Sequence, residues 1–437
     1  KEIIIYEFFA ECFKSKEMTT NIIPINKFDI LFKKIMYTVL TISICKYINF
    51  IPTFVDNLII LLATLYLIYL LPQFPFKLTW DKAPLRIVFV FFVIWNLVTM
   101  LRGFSNLTFD KFTLINEQLF YIWILPLFAC LKLNKYRIHI LFKVCIILCC
   151  FSLIYTIINI PNILAYKNLY LINETDDNLF IQNLQTIAQN PTFIILPITI
   201  FFIANRLLAK KYTNFIIIAL ILAFSSAIIC ARRTTIFYII SLVCFAIINK
   251  RKNLTRSVYI TTFIIIAVSS IIYIFSDSLL QFFPVLAERG IEDSRSDVVN
   301  NFYADFTSIQ DWLIGRGSFG TYYDPIFDYG SSNGQRYLSE CGYLTILLRG
   351  GLLLLIPYYL IGLSAIKYGI TKSNNFLVRA MAFYILAFLL FTIVGINWTF
   401  KLHYIIYWLC IGGCFNRDLR NMSNISLYKI INYGSSI

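Results

Sequence analysis

The residues best suited to chemistry lie in one polar segment, 276–340, which separates two long apolar parts of the chain. The segment contains ten of the 23 acidic residues and no lysine. Its basic residues are four arginines: Arg289, Arg295, Arg316 and Arg336. An arginine guanidinium binds phosphate oxygens through paired hydrogen bonds and keeps its charge when partly desolvated. The segment is therefore suited to work on a phosphate-bearing substrate, and we expect all four arginines to contribute to binding it.

Glu340 ends the polar segment, directly before an apolar run, and Arg336 precedes it by four residues. Two interpretations of this carboxylate are open. It stabilises the N-terminus of the next helix through the helix dipole, or it acts as a general base. We carry the general base forward as the functional hypothesis.

Gly315-Arg316-Gly317-Ser318-Phe319-Gly320 lies in the middle of the segment. Glycines in this pattern are typical of a tight reversal that returns the chain to the membrane. The same pattern with an arginine inside it is also compatible with an anion nest of backbone N–H groups. The sequence leaves both interpretations open.

Aromatic and acidic residues follow the glycines, and they suggest contact with sugars. Tyrosine rings stack on the apolar faces of sugars, and carboxylates accept hydrogen bonds from hydroxyl groups. Aromatic residues also anchor proteins at membrane interfaces, which is the alternative explanation. The predicted substrate-binding residues here are Tyr322, Tyr323, Asp324 and Tyr343.

A helix is predicted near 296–312, because Val298, Phe302 and Phe306 recur at helical spacing. Arg295 would then lie at the start of that helix. Free backbone N–H groups at a helix N-terminus favour an anion, so Arg295 is a candidate catalytic residue.

The composition places these residues on an integral membrane protein. The 437-residue chain is 59% hydrophobic and 14% charged, with a mean hydropathy of +0.73. Soluble domains carry about 25% charged residues. The net charge of +15 is distributed in short clusters between apolar runs, which indicates membrane orientation and not nucleic-acid binding. Most of the 11 cysteines lie in apolar runs, and no spacing predicts zinc or a disulfide framework.

The predicted fold is an all-α polytopic membrane protein with about twelve transmembrane helices and one large periplasmic loop that contains short helices. The spans lie near 31–49, 54–71, 84–101, 116–131, 138–160, 191–207, 213–230, 234–249, 257–275, 341–366, 378–396 and 400–415. The organisation is a cytoplasmic or interfacial segment 1–30, helices one to nine in 31–275, the loop 276–340, helices ten to twelve in 341–415, and a tail 416–437. Lysines and arginines cluster in alternate loops, so both termini are predicted to be cytoplasmic.

Arg232 and Arg233 do not fit this orientation, because they lie in a short loop predicted to face outward. One explanation is snorkelling of both side chains to the membrane interface. The other is a phosphate clamp beside the polar segment. On the second interpretation Arg233 is a candidate catalytic residue and Arg232 binds substrate.

The order of these motifs resembles the O-antigen polymerase and O-antigen ligase superfamily of bacterial envelope enzymes. The resemblance covers about 190–415. The turn at Arg233-Thr234-Thr235 resembles the family's arginine turn at the outer end of a helix. Arg295, followed by a helix and then Gly315-x-Gly317, resembles its loop signature.

One departure separates the two branches of the superfamily. The ligases carry a histidine, a small polar residue, nine further residues and a glycine at the junction between loop and helix. Here Glu340-Cys341, nine residues and Gly351 have that spacing. The chain's two histidines, His139 and His403, lie elsewhere, so the resemblance favours a polymerase over a ligase.

The resemblance implies the reaction and its partners. The substrates would be undecaprenyl-pyrophosphate-linked oligosaccharides at the periplasmic face of the bacterial inner membrane, joined into O-antigen or capsular polysaccharide. Membrane lipid and a chain-length regulator would be the partners. The charge pattern argues against nucleic acid. No cofactor or metal is expected, because no metal-ligand cluster is visible in the sequence and arginines can do the electrostatic work of a divalent ion. A ligase, or a lipid-linked oligosaccharide flippase, remains the alternative.

Overall fold

The computed structural model describes most of the chain, and within the described residues the backbone is almost entirely helical. These residues are 26–45, 53–74, 78, 80, 82–103, 122–170, 187, 190–191, 193–229, 233–250, 294–325, 334–336, 338–339, 341–394 and 401–434. One antiparallel hairpin pairs β1 (Tyr322–Tyr323) with β2 (Gln335–Arg336). The described part of the chain therefore belongs to the all-α class, as predicted, and its apolar helices are those of a membrane protein.

The helices fall into two groups, one on either side of the undescribed segment 251–293. The first group is α1 (Lys27–Cys45), α2 (Thr53–Leu70), α3 (Ala83–Gly103), α4 (Lys135–Ile158), α5 (Ile160–Tyr170), α6 (Thr199–Ile203), α7 (Lys210–Ile229) and α8 (Arg233–Lys250). The second is α9 (Ser294–Asp305), α10 (Ile309–Ile314), α11 (Gly342–Thr371), α12 (Phe376–Val394), α13 (Leu402–Phe415), α14 (Arg417–Arg420) and α15 (Asn424–Tyr433).

Five helices of the described part are long and apolar enough to cross a membrane, which takes about 20 residues. They are Ala83–Arg102, Lys135–Ile158, Lys210–Ile229, Gly342–Thr371 and Phe376–Ile393. Shorter apolar helices are Leu58–Gln73, Ile236–Lys250 and Leu402–Phe415. The predicted count of twelve spans is not confirmed, and the span predicted at 257–275 lies outside the described residues.

Two predicted spans are not continuous α-helices. The described part of 116–131 is the 3₁₀ segment Ile122–Cys130, which contains Pro126. The span predicted at 191–207 consists of short pieces around Pro197 and α6. Proline removes a backbone donor and its ring clashes with the preceding turn, so an apolar run of sufficient length does not form one straight helix here.

Small residues let the membrane helices pack closely in the second half of the chain. A Cβ placed on Gly412 of α13 would collide with the carbonyl oxygen of Ala129. A Cβ on Gly369 of α11 would lie 2.6 Å from the Cβ of Ala382 on α12. Close backbone approach of this kind stabilises helix pairs in lipid, where the hydrophobic effect does not drive association. These contacts hold α11 against α12, and α13 against the segment that contains Ala129.

The polar segment folds into a small unit, the loop module (residues 294–325 and 334–336). Its apolar core consists of Val298, Phe302, Phe306 and Tyr322, and it continues into Leu344, Leu347 and Leu348 of α11. The module is therefore packed onto the start of a membrane helix.

The single helix predicted at 296–312 is wrong, because two helices occupy this range. α9 ends at Asp305, and α10 starts after Ser308, whose hydroxyl accepts a hydrogen bond from the Asp311 backbone N–H. Phe306 lies in the break between the helices and is buried in the core of the module. The break lets Phe306 and Trp312 pack edge to face, with ring centres 5.6 Å apart.

Candidate functional site at the junction of the loop module and the membrane helices

A break in α11 receives the glycine turn (residues 315–320) of the loop module. Gly351 has a φ of 63° inside the helix, so the regular hydrogen-bond ladder is interrupted there. The carbonyl oxygens of Leu348 and Arg349 accept hydrogen bonds from the backbone N–H groups of Arg316 (2.6 Å) and Gly317 (2.9 Å). Unsatisfied carbonyl groups cost several kcal/mol in an apolar environment. The turn thus replaces the bonds that the break removes.

Only glycine fits at the two points of closest approach. A Cβ on Gly315, whose φ is 67°, would lie 2.6 Å from the carbonyl carbon and oxygen of Arg349. A Cβ on Gly351 would overlap the carbonyl group of Leu313. The glycines let two backbones touch where side chains would keep them apart.

This arrangement decides between the two interpretations of the glycine pattern. Besides the N–H groups of Arg316 and Gly317, that of Gly315 donates to the Asp311 carbonyl and that of Ser318 donates to the Thr99 carbonyl. The donors that an anion nest would need are already used inside the protein. The turn is a docking element, and the anion-nest interpretation is wrong.

Helix α3 forms the third side of the junction. Trp95 donates its indole N–H to the carbonyl of Gly350 at 2.8 Å. Arg102 donates to the carbonyls of Ile314 and Gly315, at 2.7 and 2.8 Å, at the end of α10. A cation at a helix C-terminus satisfies carbonyls that have no intrahelical partner. Together α3, α11 and the module form one hydrogen-bonded joint.

Arg316 is a structural centre of the loop module. Its guanidinium donates to both the carboxylate and the carbonyl of Asp305, to the Asp311 carboxylate at 2.8 Å and to the Thr321 carbonyl at 2.8 Å. Burial by itself lowers the pKa of this guanidinium, but hydrogen bonds and charge contacts with Asp311 and Asp305 outweigh it, and the pKa is raised. The geometry favours a role in holding the module together over contact with substrate.

We expect Arg316→Ala to destabilise the protein by about 2 kcal/mol or more, because charge-assisted hydrogen bonds are lost and two carboxylates lose their cation. Thermal unfolding of the purified protein in detergent measures this. The melting temperature of Arg316→Lys should lie between those of wild type and Arg316→Ala, because an ammonium keeps the charge but lacks the planar fork of donors. An unchanged melting temperature in the alanine variant would remove Arg316 from the structural role.

A second ion pair closes the hairpin. The carboxylate of Asp324 is fully buried and accepts hydrogen bonds from Arg336 at 2.7 Å and from Asn301 at 3.0 Å. Tyr322 is buried in the core of the module, whereas Tyr323, on the opposite face of β1, is 48% exposed. Of the residues predicted to bind sugar in this stretch, Tyr323 presents its ring to the surroundings, and Asp324 faces inward.

The start of α11 is fixed by a reciprocal cap. The Ser339 backbone N–H donates to the Thr345 hydroxyl at 3.1 Å, and that hydroxyl donates to the Ser339 carbonyl at 3.2 Å. The Cys341 N–H donates to the Ser339 hydroxyl at 3.2 Å. Tyr343 follows in the first turn and packs at the edge of the module's core. Glu340, the predicted general base, stands between Ser339 and Cys341 in the sequence. It lies outside the described residues.

The remaining candidates are located only in part. Arg232 and Arg289 lie outside the described residues. Arg233 is the first residue of α8, and Arg295 is the second residue of α9, as predicted for a position at a helix start. The side chains of both lie outside the described part of the chain, so their participation in the site stays a prediction.

Arg349 is a charged residue at the junction that motif reasoning did not select. It is 4% exposed, and its three guanidinium nitrogens have no hydrogen-bond partner among the described residues. It lies two residues before the break, about 10 Å along the helix from Gly342 at a rise of about 1.5 Å per residue. The available signal was an arginine inside an apolar span, followed by two glycines.

The described ranges contain no group of three or more His, Cys, Asp or Glu residues placed to bind a metal ion.

No family model, no curated protein and no solved structure matches the chain.

Proposed function

We propose that the chain is a membrane-embedded glycosyltransferase that polymerises lipid-pyrophosphate-linked oligosaccharide repeat units into a surface polysaccharide. It would act at the periplasmic face of a bacterial inner membrane, with both termini in the cytoplasm. The substrates would be undecaprenyl-pyrophosphate-linked repeats of O-antigen or capsule, and a chain-length regulator would be a partner.

The observation that carries this proposal is the joint between the loop module and the helix break. A polar unit with its own ion pairs and core is fixed by backbone hydrogen bonds to two apolar helices, α3 and α11. Substrates with a lipid tail and a water-soluble glycan need such a boundary between apolar and polar surfaces. Rigid attachment of the polar unit supports the positioning that glycosyl transfer requires.

The reaction on this proposal is a single displacement at an anomeric carbon. The bond from that carbon to the pyrophosphate oxygen breaks, and a bond to the acceptor hydroxyl oxygen forms. Glu340 takes the hydroxyl proton, and the lipid pyrophosphate leaves with the bonding electrons. Arg233 and Arg295, with Arg232 and Arg289, would neutralise the developing charge on the leaving group. The exposed ring of Tyr323 would contact the glycan.

A flippase for the same substrate is the second candidate, and Arg349 is the observation that favours it. A charge inside a membrane helix is typical of transport pathways as well as of enzymes. The glycan that accumulates in cells separates the two activities, since a flippase is needed before any repeat reaches the surface.

The proposal is tested with purified protein in liposomes and the lipid-linked repeat extracted from cells that lack it. Gel analysis should show products of two, three and more repeats, with release of polyprenyl pyrophosphate. Products that stay at one repeat, with protein folded as judged by its melting curve, would contradict the proposed activity. Movement of the repeat across the bilayer without extension would favour the flippase.

A further inference from the structure

The Arg349 guanidinium is a buried positive charge, and no described residue accepts a hydrogen bond from it. Arg349 is 4% exposed, and its Nε, Nη1 and Nη2 have no hydrogen-bond partner among the described residues. Burying a charge without a partner is strongly unfavourable, so such groups are found paired or held for function. A charge of this kind inside a membrane helix is a functional-site candidate.

The nearby carbonyl groups are already engaged. The break in α11 frees the carbonyls of Leu348, Arg349 and Gly350, but Arg316, Gly317 and Trp95 donate to them. The helix break therefore supplies no acceptor that is committed to the guanidinium. Broken helices recur at substrate sites in membrane proteins, where irregular backbone lies beside a bound ion or anion.

Among the described residues, no carboxylate accepts a hydrogen bond from the Arg349 guanidinium. The Tyr404 phenol of α13 lies within electrostatic range of the guanidinium. The Tyr404 ring packs edge to face on Phe388 of α12, with centres 5.1 Å apart. Arg349 thus lies on α11 near Tyr404 of α13, where the glycine turn docks on the helix backbone.

We propose that Arg349 binds a phosphate-class oxyanion, the diphosphate of a polyprenyl carrier, at the base of the loop module. A guanidinium that is desolvated in advance binds an oxyanion more strongly than one in water, and its fork of donors matches two phosphate oxygens. The identity of the carrier rests on the proposed function, whereas the anion site itself rests on the burial of Arg349.

The test measures ligand-dependent stabilisation of the full chain in nanodiscs of phosphatidylcholine. Undecaprenyl pyrophosphate, inorganic pyrophosphate and undecaprenol are added separately to wild type, Arg349→Met, Arg349→Lys and Arg379→Met. Arg379 serves as the matched control because it is an arginine in the first turn of the apolar helix α12, with its guanidinium stacked on Phe376.

Undecaprenyl pyrophosphate should raise the melting temperature of wild type and Arg379→Met. Binding should weaken about tenfold or more in Arg349→Met, because charge-assisted hydrogen bonds are lost, and less in Arg349→Lys. Without ligand, Arg349→Met should melt at or above the wild-type temperature, because an uncompensated buried charge is gone. A merely structural arginine would give a lower melting temperature instead.

Unchanged binding in Arg349→Met would overturn the inference, as would a ligand-free loss of stability equal to that of Arg316→Ala. Binding of inorganic pyrophosphate or undecaprenol with no preference for the lipid diphosphate would overturn the carrier assignment. If the lipid diphosphate binds through Arg349 but repeats are not extended, the proposed function fails and this inference stands. If repeats are extended equally by wild type and Arg349→Met, the inference fails alone.

Discussion

Replacing Gly351 with alanine is expected to prevent the protein from reaching its folded state in the membrane. The new Cβ would overlap the carbonyl group of Leu313, which belongs to backbone and cannot rotate away. The φ of 63° at this position adds strain for any residue with a side chain. The joint between α11 and the loop module would have to open, at a cost of about 4 kcal/mol or more, in the range of the most damaging substitutions.

Helix propensity alone predicts that Gly351→Ala raises stability, since alanine is more favourable than glycine in a regular helix by about 1 kcal/mol. We expect the opposite, a loss of stability. The measurement is the yield of monodisperse protein by size-exclusion chromatography, with its melting temperature. Gly362→Ala is the matched control in the same helix, because its Cβ would meet only side-chain ends, at 3.0 Å or more. Wild-type yield and melting temperature for Gly351→Ala would show that the break is not required.

Glu340→Gln and Arg233→Ala are each expected to abolish polymer formation while leaving the protein at its normal level. A positioned general base contributes about 100-fold or more to the rate, and glutamine keeps the shape of the side chain without its basicity. Loss of one cation at the leaving group has an effect of similar size. Chain length of the surface polysaccharide in complemented deletion cells measures both.

The matched controls are Glu292→Gln and Arg256→Ala, and both should restore long chains. Glu292 lies in the same polar segment, and Arg256 lies in a loop predicted to be cytoplasmic. Long polysaccharide in cells carrying Glu340→Gln would exclude the general base and leave only the helix-dipole interpretation of that carboxylate. Long polysaccharide with Arg233→Ala would favour snorkelling of the arginine pair to the interface.

The apolar runs predicted the membrane class, and most of the described long helices lie where these runs do, because burial in lipid requires about 20 apolar residues in sequence. Hydropathy carries no information about backbone breaks. The segments at Pro126 and Pro197 therefore appeared as spans but contain 3₁₀ turns.

The polar segment was recognisable, but the way it attaches was not. Helical spacing from Val298 to Trp312 did not reveal the break at Phe306, since both short helices place their aromatic residues on one core. The docking of Gly315 against the break at Gly351 joins backbone atoms 36 residues apart in sequence, a contact that no local pattern encodes. Arg349 was visible as a charge in an apolar run, yet only the fold shows that its guanidinium has no partner in the described part of the chain.

The most direct test of the central claim is the surface polysaccharide of a strain from which this protein alone has been deleted. Extracted glycan is separated by size, and the lipid-linked pool is analysed in the same cells. We expect long chains to disappear and single repeat units to remain, both at the surface and on the lipid carrier. Long chains at normal abundance, or the absence of any repeat from the surface, would contradict the account.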